Sequence, residues 1–273
     1  MSGLLSSDLF KLRKSRSFLV CIIVAFILGA VMSVTYYIAY QELSRTMEQT
    51  MQFIEGLGNY SGVVMETMDM LPTKDLWSYV NVSLCDQNVL YIAAIAIGIF
   101  AGSEYSMGTV RNSLTRGFSR NAVFFSKLIC VSVIMLSIAA VYVLGSSIPA
   151  CIMFGFTAAI PAVEIIQCLL IYALLFIAAA GFYMLLAVVT KKTGYGIALA
   201  ILLPIVITAL INVIKIGNQD LGNISRFWLF ETITVTQKLV HSGEWYIPAL
   251  TGAAYSIITI LTGLAVFRKQ SIN

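Results

Sequence analysis

Charged residues are scarce in this sequence. Only 11% of its 273 residues are Asp, Glu, Lys or Arg, whereas 59% are hydrophobic, and the mean hydropathy is +0.89. A soluble domain carries about 25% charged residues. The composition therefore excludes an ordinary water-facing surface, and the length suffices for about six membrane helices of about 20 residues each.

Motifs for catalysis and nucleotide binding are also absent. The sequence contains no GxxxxGK[ST] loop to cradle ATP phosphates and no HExxH around its lone His241. Its five cysteines form no CxxC pair, and we interpret them as packing residues. We therefore predict that the chain is not an enzyme, and that it holds no metal or cofactor of its own. A net charge of +4 is too small to indicate a nucleic-acid partner.

Six long apolar runs predict six transmembrane helices. The first is too long for a signal peptide and has no A-x-A cleavage site, so we interpret it as a membrane anchor. The runs are Phe18–Tyr40, Asn88–Ser103, Leu128–Ile148, Ile165–Thr190, Tyr195–Ile214 and Ile247–Phe267. The predicted fold class is an all-α polytopic membrane protein with one transmembrane domain over residues 1–273.

The distribution of Lys and Arg predicts the orientation. With the amino terminus inside, twelve basic residues fall on the cytoplasmic side and five on the outer side. Short loops rich in Lys and Arg stay in the cytoplasm. We therefore expect a multi-pass protein of the cell membrane, with both termini cytoplasmic.

Residues 1–17 precede the first run and predict an amphipathic helix. Leu5, Leu9 and Leu12 recur at helical spacing, and basic residues follow them. Such a helix rests on the inner membrane surface and contacts lipid. The alternative is a disordered leader.

Two outer segments, residues 41–87 and 215–246, are longer than simple turns. Met47, Met51 and Ile54 recur at helical spacing in the first, where Trp77 and Tyr79 follow further on. An interfacial helix on the outer leaflet, with aromatic residues at headgroup depth, explains this pattern. The alternative is an adaptable surface for apolar cargo, formed by Met65, Met68 and Met70.

In the second segment, Phe227, Trp228, Trp245 and Tyr246 are interpreted as membrane anchors.

Charged residues are missing from the interiors of the six runs. This absence excludes a voltage sensor and disfavours proton coupling, because charges inside a membrane are kept mainly for function.

Small residues at four-residue spacing, Ala94, Gly98 and Gly102, define a face of the second run. That face allows another helix to approach closely, within one subunit or in a dimer.

Residues 104–127 join the second and third runs. Gly108 and Gly117 delimit about one short helix, and Ser119 is placed to cap the next helix. Glu104 and Arg111 are two helical turns apart, so on a continuous helix they share a face without pairing. We expect both to be available to a partner.

This segment resembles the cytoplasmic loop of the membrane subunits of ATP-binding-cassette exporters of the type 2 permease family. The family pattern is a Glu, then Gly-Thr, an Arg soon after, a later Ser-Arg and a Lys. The matching residues here are Glu104, Gly108, Thr109, Arg111, Ser119, Arg120 and Lys127. The usual Pro before Ser-Arg is replaced by Gly117-Phe118.

The resemblance implies that the loop, with Arg116 included, is a coupling helix that docks onto a separate cytoplasmic ATPase. Two permeases pair with two ATPases in that family, and the ATPase holds the ATP and magnesium. The implied function is export of an amphipathic or apolar cargo such as an antimicrobial peptide, and the implied location is the bacterial plasma membrane. Three alternatives stay open: basic residues that only satisfy the positive-inside rule, a secondary transporter or channel without an ATPase, and a membrane-embedded scaffold.

Overall fold

The computed structural model describes residues 2–57, 76–154, 161–217 and 225–269, and the all-α prediction is confirmed for them. Ten α-helices lie in this part of the chain. They are α1 (Ser2–Lys14), α2 (Arg16–Leu57), α3 (Leu76–Cys85), α4 (Gln87–Ser106), α5 (Thr109–Thr115), α6 (Arg120–Phe154), α7 (Ala162–Thr190), α8 (Thr193–Gly217), α9 (Leu229–His241) and α10 (Tyr246–Lys269).

Six of these helices, α2, α4, α6, α7, α8 and α10, are long and apolar enough to cross a membrane. They contain the six predicted runs, and most extend beyond the predicted ends. Helix α2 extends furthest: its 42 residues span about 63 Å at 1.5 Å per residue. The hydrocarbon layer is only about 30 Å thick, so α2 projects beyond it.

The projection corrects one prediction. Met47, Met51 and Ile54 do not belong to a separate interfacial helix, because they continue the first span without a break. The projecting part is polar, and Arg45 and Glu42 form an exposed ion pair of 3.2 Å there. Met65, Met68 and Met70 lie outside the described residues.

Glycines allow the spans to cross closely. Gly29 of α2 lies against the Tyr142 backbone of α6, and Gly145 of α6 lies against the Phe26 backbone of α2. A Cβ at either position would clash with the neighbouring carbonyl. This reciprocal pair fixes how α2 and α6 cross.

The predicted small-residue face of α4 packs within the subunit. Gly98 lies against Ile197 of α8, and a Cβ on Gly102 would be 2.7 Å from the Cα of Thr193. The face is therefore occupied by a neighbouring span of the same chain, as the first of the two alternatives predicted.

Helices α3 and α9 pack at the end of the bundle where α4 begins. Trp77 and Tyr79 were predicted to sit at headgroup depth, but they are only 5% and 3% exposed. They therefore pack inside the fold and do not rest on the outer leaflet, because α3 packs against α6, where Ser83 and Ser146 share a hydrogen bond of 2.7 Å. In the second outer segment, Phe227, Trp245 and Tyr246 are about half exposed, whereas Trp228 donates to the Thr208 hydroxyl over 2.9 Å.

The opposite end of the bundle collects α1, residues 104–127 and the end of α10, and we call it the loop end. Arg120 donates to the Arg268 carbonyl over 2.5 Å, and Arg268 donates to the Asn121 side chain over 2.9 Å. Lys127 of α6 pairs with Asp8 of α1 over 2.9 Å. The described ends of the chain thus lie on the same side as residues 104–127, and the positive-inside rule predicts that this side is cytoplasmic.

Cysteine labelling in intact cells tests the predicted side. In a variant without native cysteines, Ser242→Cys, beyond α9, should react with a membrane-impermeant thiol reagent. Asn112→Cys, in α5, should react only after permeabilisation. Both positions are exposed, so accessibility within the fold does not bias the comparison. Labelling of position 112 in intact cells would invert the orientation.

Candidate functional site

Two glycine turns separate α5 from the spans on either side. Gly108 has a φ of 68° and Gly117 a φ of 86°, in the left-handed region that favours glycine. The Gly108 turn ends α4 and the Gly117 turn ends α5. The predicted short helix is therefore confirmed as a separate element. Because a turn separates Glu104 from Arg111, the two residues do not lie on one continuous helix, and the expectation that they share a helix face is wrong.

Ser119 caps α6, as predicted. Its hydroxyl accepts a hydrogen bond from the backbone amide of Ala122 over 3.3 Å, which satisfies one of the free amides in the first turn of a helix. At the other end of the loop, the Thr109 hydroxyl donates to the Glu104 carbonyl over 3.0 Å. Side chains thus tie both ends of the loop to the spans.

Helix α5 has a buried side and an exposed side. Val110 is only 2% exposed, and Leu114 packs against the core. Arg111 and Arg116 are exposed, as is Met107 in the preceding turn, at 74%. The loop therefore packs its apolar side chains against the bundle and exposes its positive charges to solvent.

Arg120 differs from the other loop arginines because it is engaged within the chain. Its bond to the Arg268 carbonyl joins the start of α6 to the end of α10. Among the described residues, Arg111 and Arg116 form no ion pair within 4.0 Å. Those two guanidinium groups are the ones available to a partner.

A buried ionic cluster lies beneath the loop. The ammonium group of Lys127 is 2.5 Å from a Glu104 carboxylate oxygen and 2.9 Å from an Asp8 carboxylate oxygen. The side chains of Lys127 and Glu104 are each 8% exposed, and that of Asp8 is 1% exposed. Ser126 donates to the second Asp8 oxygen over 2.8 Å. The cluster joins α1, α4 and α6.

The charges within the cluster do not cancel without a fourth residue. Asp8 and Glu104 carry two negative charges against the one positive charge of Lys127, and Lys11, half exposed, lies 3.6 Å from Asp8. One Glu104 oxygen has no hydrogen-bond partner among the described residues. Because a buried charge is costly unless it is paired, loss of Lys127 would leave two carboxylates with only the half-exposed Lys11 nearby.

These positions correct the expected exposure of Glu104 and show where Lys127 lies. The resemblance implied that both take part in coupling to a partner ATPase, and Glu104 was expected to be available to that partner. In the structure both are buried and paired with each other, so Glu104 is not available at the surface. In this structure they hold the loop in place and do not form its outer surface. The exposed part of the predicted set is reduced to Arg111 of α5 and the residues of the flanking turns, Arg116 among them.

Asp8 was missed at the sequence level. We predicted a leucine stripe of Leu5, Leu9 and Leu12, but the most buried face of α1 is Leu4, Asp8 and Leu12. The spacing of four residues held a signal, since an acidic residue between two leucines on one helix face needs a buried partner. Helix α1 therefore packs on α6 as part of the protein.

Comparisons of the chain with curated proteins and with solved structures found no match. A family match covers residues 18–272, almost the whole chain. The family is DUF2705, described as a protein of unknown function.

Removal of Lys127 should destabilise the fold strongly. Lys127→Ala leaves Asp8 and Glu104 buried, and breaking such a buried pair costs about 3–5 kcal/mol. Lys11→Ala is the matched control, because it removes an exposed ammonium from the same Asp8 and should cost less than about 1 kcal/mol. Denaturant unfolding of the purified chain measures both. Equal losses for the two variants would contradict the role assigned to the cluster.

Proposed function

The chain belongs to the DUF2705 family, and we propose that it is the permease subunit of an ATP-driven exporter whose ATPase is a separate protein. The observation that carries the proposal is the loop at residues 104–127. Its helix α5 exposes Arg111, Arg116 follows directly, and hydrogen bonds attach the loop to several spans. The chain itself has no phosphate-binding loop, so the ATP and magnesium would be held by the partner.

Helix α5 suits a docking element because its shape is fixed before a partner binds. Glycine turns fix its ends, and Val110 and Leu114 fix its apolar side. Preorganisation of this kind reduces the ordering cost of binding. Arg111 and Arg116 would then meet an acidic groove on the ATPase, since charge complementarity selects partner and register.

The connections beneath α5 provide a route for force. Thr109 ties the loop to the end of α4, Ser119 begins α6, and Arg120 reaches the end of α10. The Lys127 cluster adds α1. A displacement of α5 by the ATPase would therefore move three spans and the amino-terminal helix together, which is what coupling of hydrolysis to transport requires.

The proposed exporter contains a second permease copy, and α8 has an exposed apolar surface on which that copy could pack. Only 11% of the most apolar part of α8 is buried in the single chain, compared with 61% for α4. Apolar residues cover the exposed part of α8, including Leu202, Val206 and Leu210. That surface faces either lipid or a paired permease.

The proposed cargo is amphipathic or apolar, such as an antimicrobial peptide. At the end of the bundle opposite the loop, a cavity of about 220 Å³ lies between α4, α7, α8 and α9. Its lining combines aromatic side chains with neutral polar ones, among them Tyr91, Tyr183, Thr208 and Phe230. Such a lining offers no counterion for a charged solute. Met65, Met68 and Met70 remain proposed cargo contacts.

Loop variants test the proposed coupling. Gly108→Pro should reduce ATPase co-purification at least about tenfold, because proline cannot adopt a φ of 68°. Arg111→Glu should weaken binding similarly by reversing the charge. Controls are Gly243→Pro, at a left-handed glycine beyond α9 (φ 81°), and Lys238→Glu, an exposed charge in α9.

The co-purified complexes of wild type and variants with the ATPase also test the proposed cargo. Amphipathic peptides should stimulate ATP hydrolysis of the wild-type complex, and small sugars should not. Wild-type binding and stimulation in both loop variants would defeat the coupling proposal. Equal stimulation by sugars would defeat only the cargo proposal.

A further inference from the structure

A groove lies at the loop end between α1, α2 and α6. It measures about 350 Å³ and opens to the outside of the bundle. Its lining is apolar except for one charged and one hydroxyl side chain, and consists of Leu9, Leu12, Arg13, Phe18, Leu19, Ile22, Val133 and Ser137. The single charge, Arg13, belongs to α1.

The chain turns sharply beside this groove. Helix α1 ends at Lys14, and the Ser15 hydroxyl accepts from the amide of Phe18 over 3.4 Å as α2 begins. The turn concentrates four exposed basic residues: Lys11, Arg13, Lys14 and Arg16. The acidic group within 4.0 Å of these residues, among those described, is Asp8, which is buried and shared between Lys127 and Lys11. The turn is therefore strongly positive.

Two of the four cations have partners. Lys14 lies 4.9 Å from the centre of the Phe10 ring, and Lys11 is 3.6 Å from Asp8. Arg13 forms no ion pair among the described residues, although it lines the groove. A guanidinium group at the edge of an apolar groove suits a ligand with one anionic oxygen group and one hydrocarbon tail.

We propose that this groove binds an anionic phospholipid of the inner leaflet, with its phosphate on Arg13 and one acyl chain along Phe18, Leu19 and Val133. Charge selects the anionic lipid, because basic pockets between membrane helices at the cytoplasmic surface bind acidic headgroups. The apolar walls select the acyl chain over water. A free phosphate would satisfy Arg13 but leave the groove unfilled.

The bound lipid would act as a second attachment of α1. The Lys127–Asp8 pair holds α1 on α6, and the lipid would fill the groove between α1, α2 and α6 beside that contact. A ligand that binds the folded state alone stabilises it. Anionic lipid should therefore stabilise the docked position of α1, whatever the chain transports.

Lipid binding to the purified full-length chain tests the inference. Phosphatidylglycerol should remain bound in native mass spectrometry and raise the thermal midpoint, whereas phosphatidylcholine should do neither at equal concentration. Glycerol phosphate, which lacks acyl chains, should leave the midpoint unchanged. An equal effect of phosphatidylcholine would overturn the charge selection, and an equal effect of glycerol phosphate would overturn the acyl site.

Variants locate the site. Arg13→Gln should weaken phosphatidylglycerol binding roughly tenfold, whereas Lys14→Gln, which removes the same charge outside the groove, should weaken it less than about threefold. Val133→Trp should block the acyl chain while the lipid-free thermal midpoint stays near wild type, because Val133 is 37% exposed. Equal losses for Arg13→Gln and Lys14→Gln would show diffuse attraction to the basic turn and overturn the site.

Discussion

The buried ammonium group of Lys127 is the interaction on which the loop end of the molecule depends. Removing charges from water is costly, and only close opposite charges make that cost tolerable. Asp8 and Glu104 provide them from α1 and α4, while Lys127 itself belongs to α6. Three helices therefore have to meet at one point, and the loop between α4 and α6 has to close above it.

The two ends of the bundle are held together by different chemistry. At the loop end buried ion pairs join the helices, whereas the polar contacts of α3 at the opposite end are hydrogen bonds between uncharged groups. There, Tyr172 donates to Asn81 over 2.7 Å, and the Cys85 thiol lies 3.1 Å from the same Tyr172 hydroxyl. Between the two ends, glycine contacts lock α2 to α6 and α4 to α8. A push on the loop would therefore travel along helices that are closely packed over their length.

Patterns that act within one element could be predicted from the sequence. Hydropathy located all six spans, because every backbone group in a lipid-facing helix is satisfied internally and the side chains must be apolar. The Ser119 cap and the glycine-delimited loop helix were local signals, and both are present. The small-residue face of α4 predicted a close contact, although its partner, α8, could not be identified from spacing alone.

Contacts between elements were the ones that sequence reasoning missed. Glu104 and Lys127 are 23 residues apart on either side of two left-handed turns, and no periodicity predicts that they meet. Tryptophan is a typical interface anchor, but tertiary packing buries Trp77 in the hydrophobic core. The fold was therefore needed to separate the predicted coupling residues into those that are buried and support the loop and those that are exposed.

Photo-crosslinking from α5 in native membranes tests the central claim most directly. A photoreactive amino acid at position 112, on the exposed side of α5, should form a covalent adduct with an ATP-binding-cassette ATPase, and the same group at position 242, near the opposite end, should not. Adducts with lipid alone at position 112, or the same ATPase adduct from both positions, would contradict the proposal that residues 104–127 contact a separate ATPase.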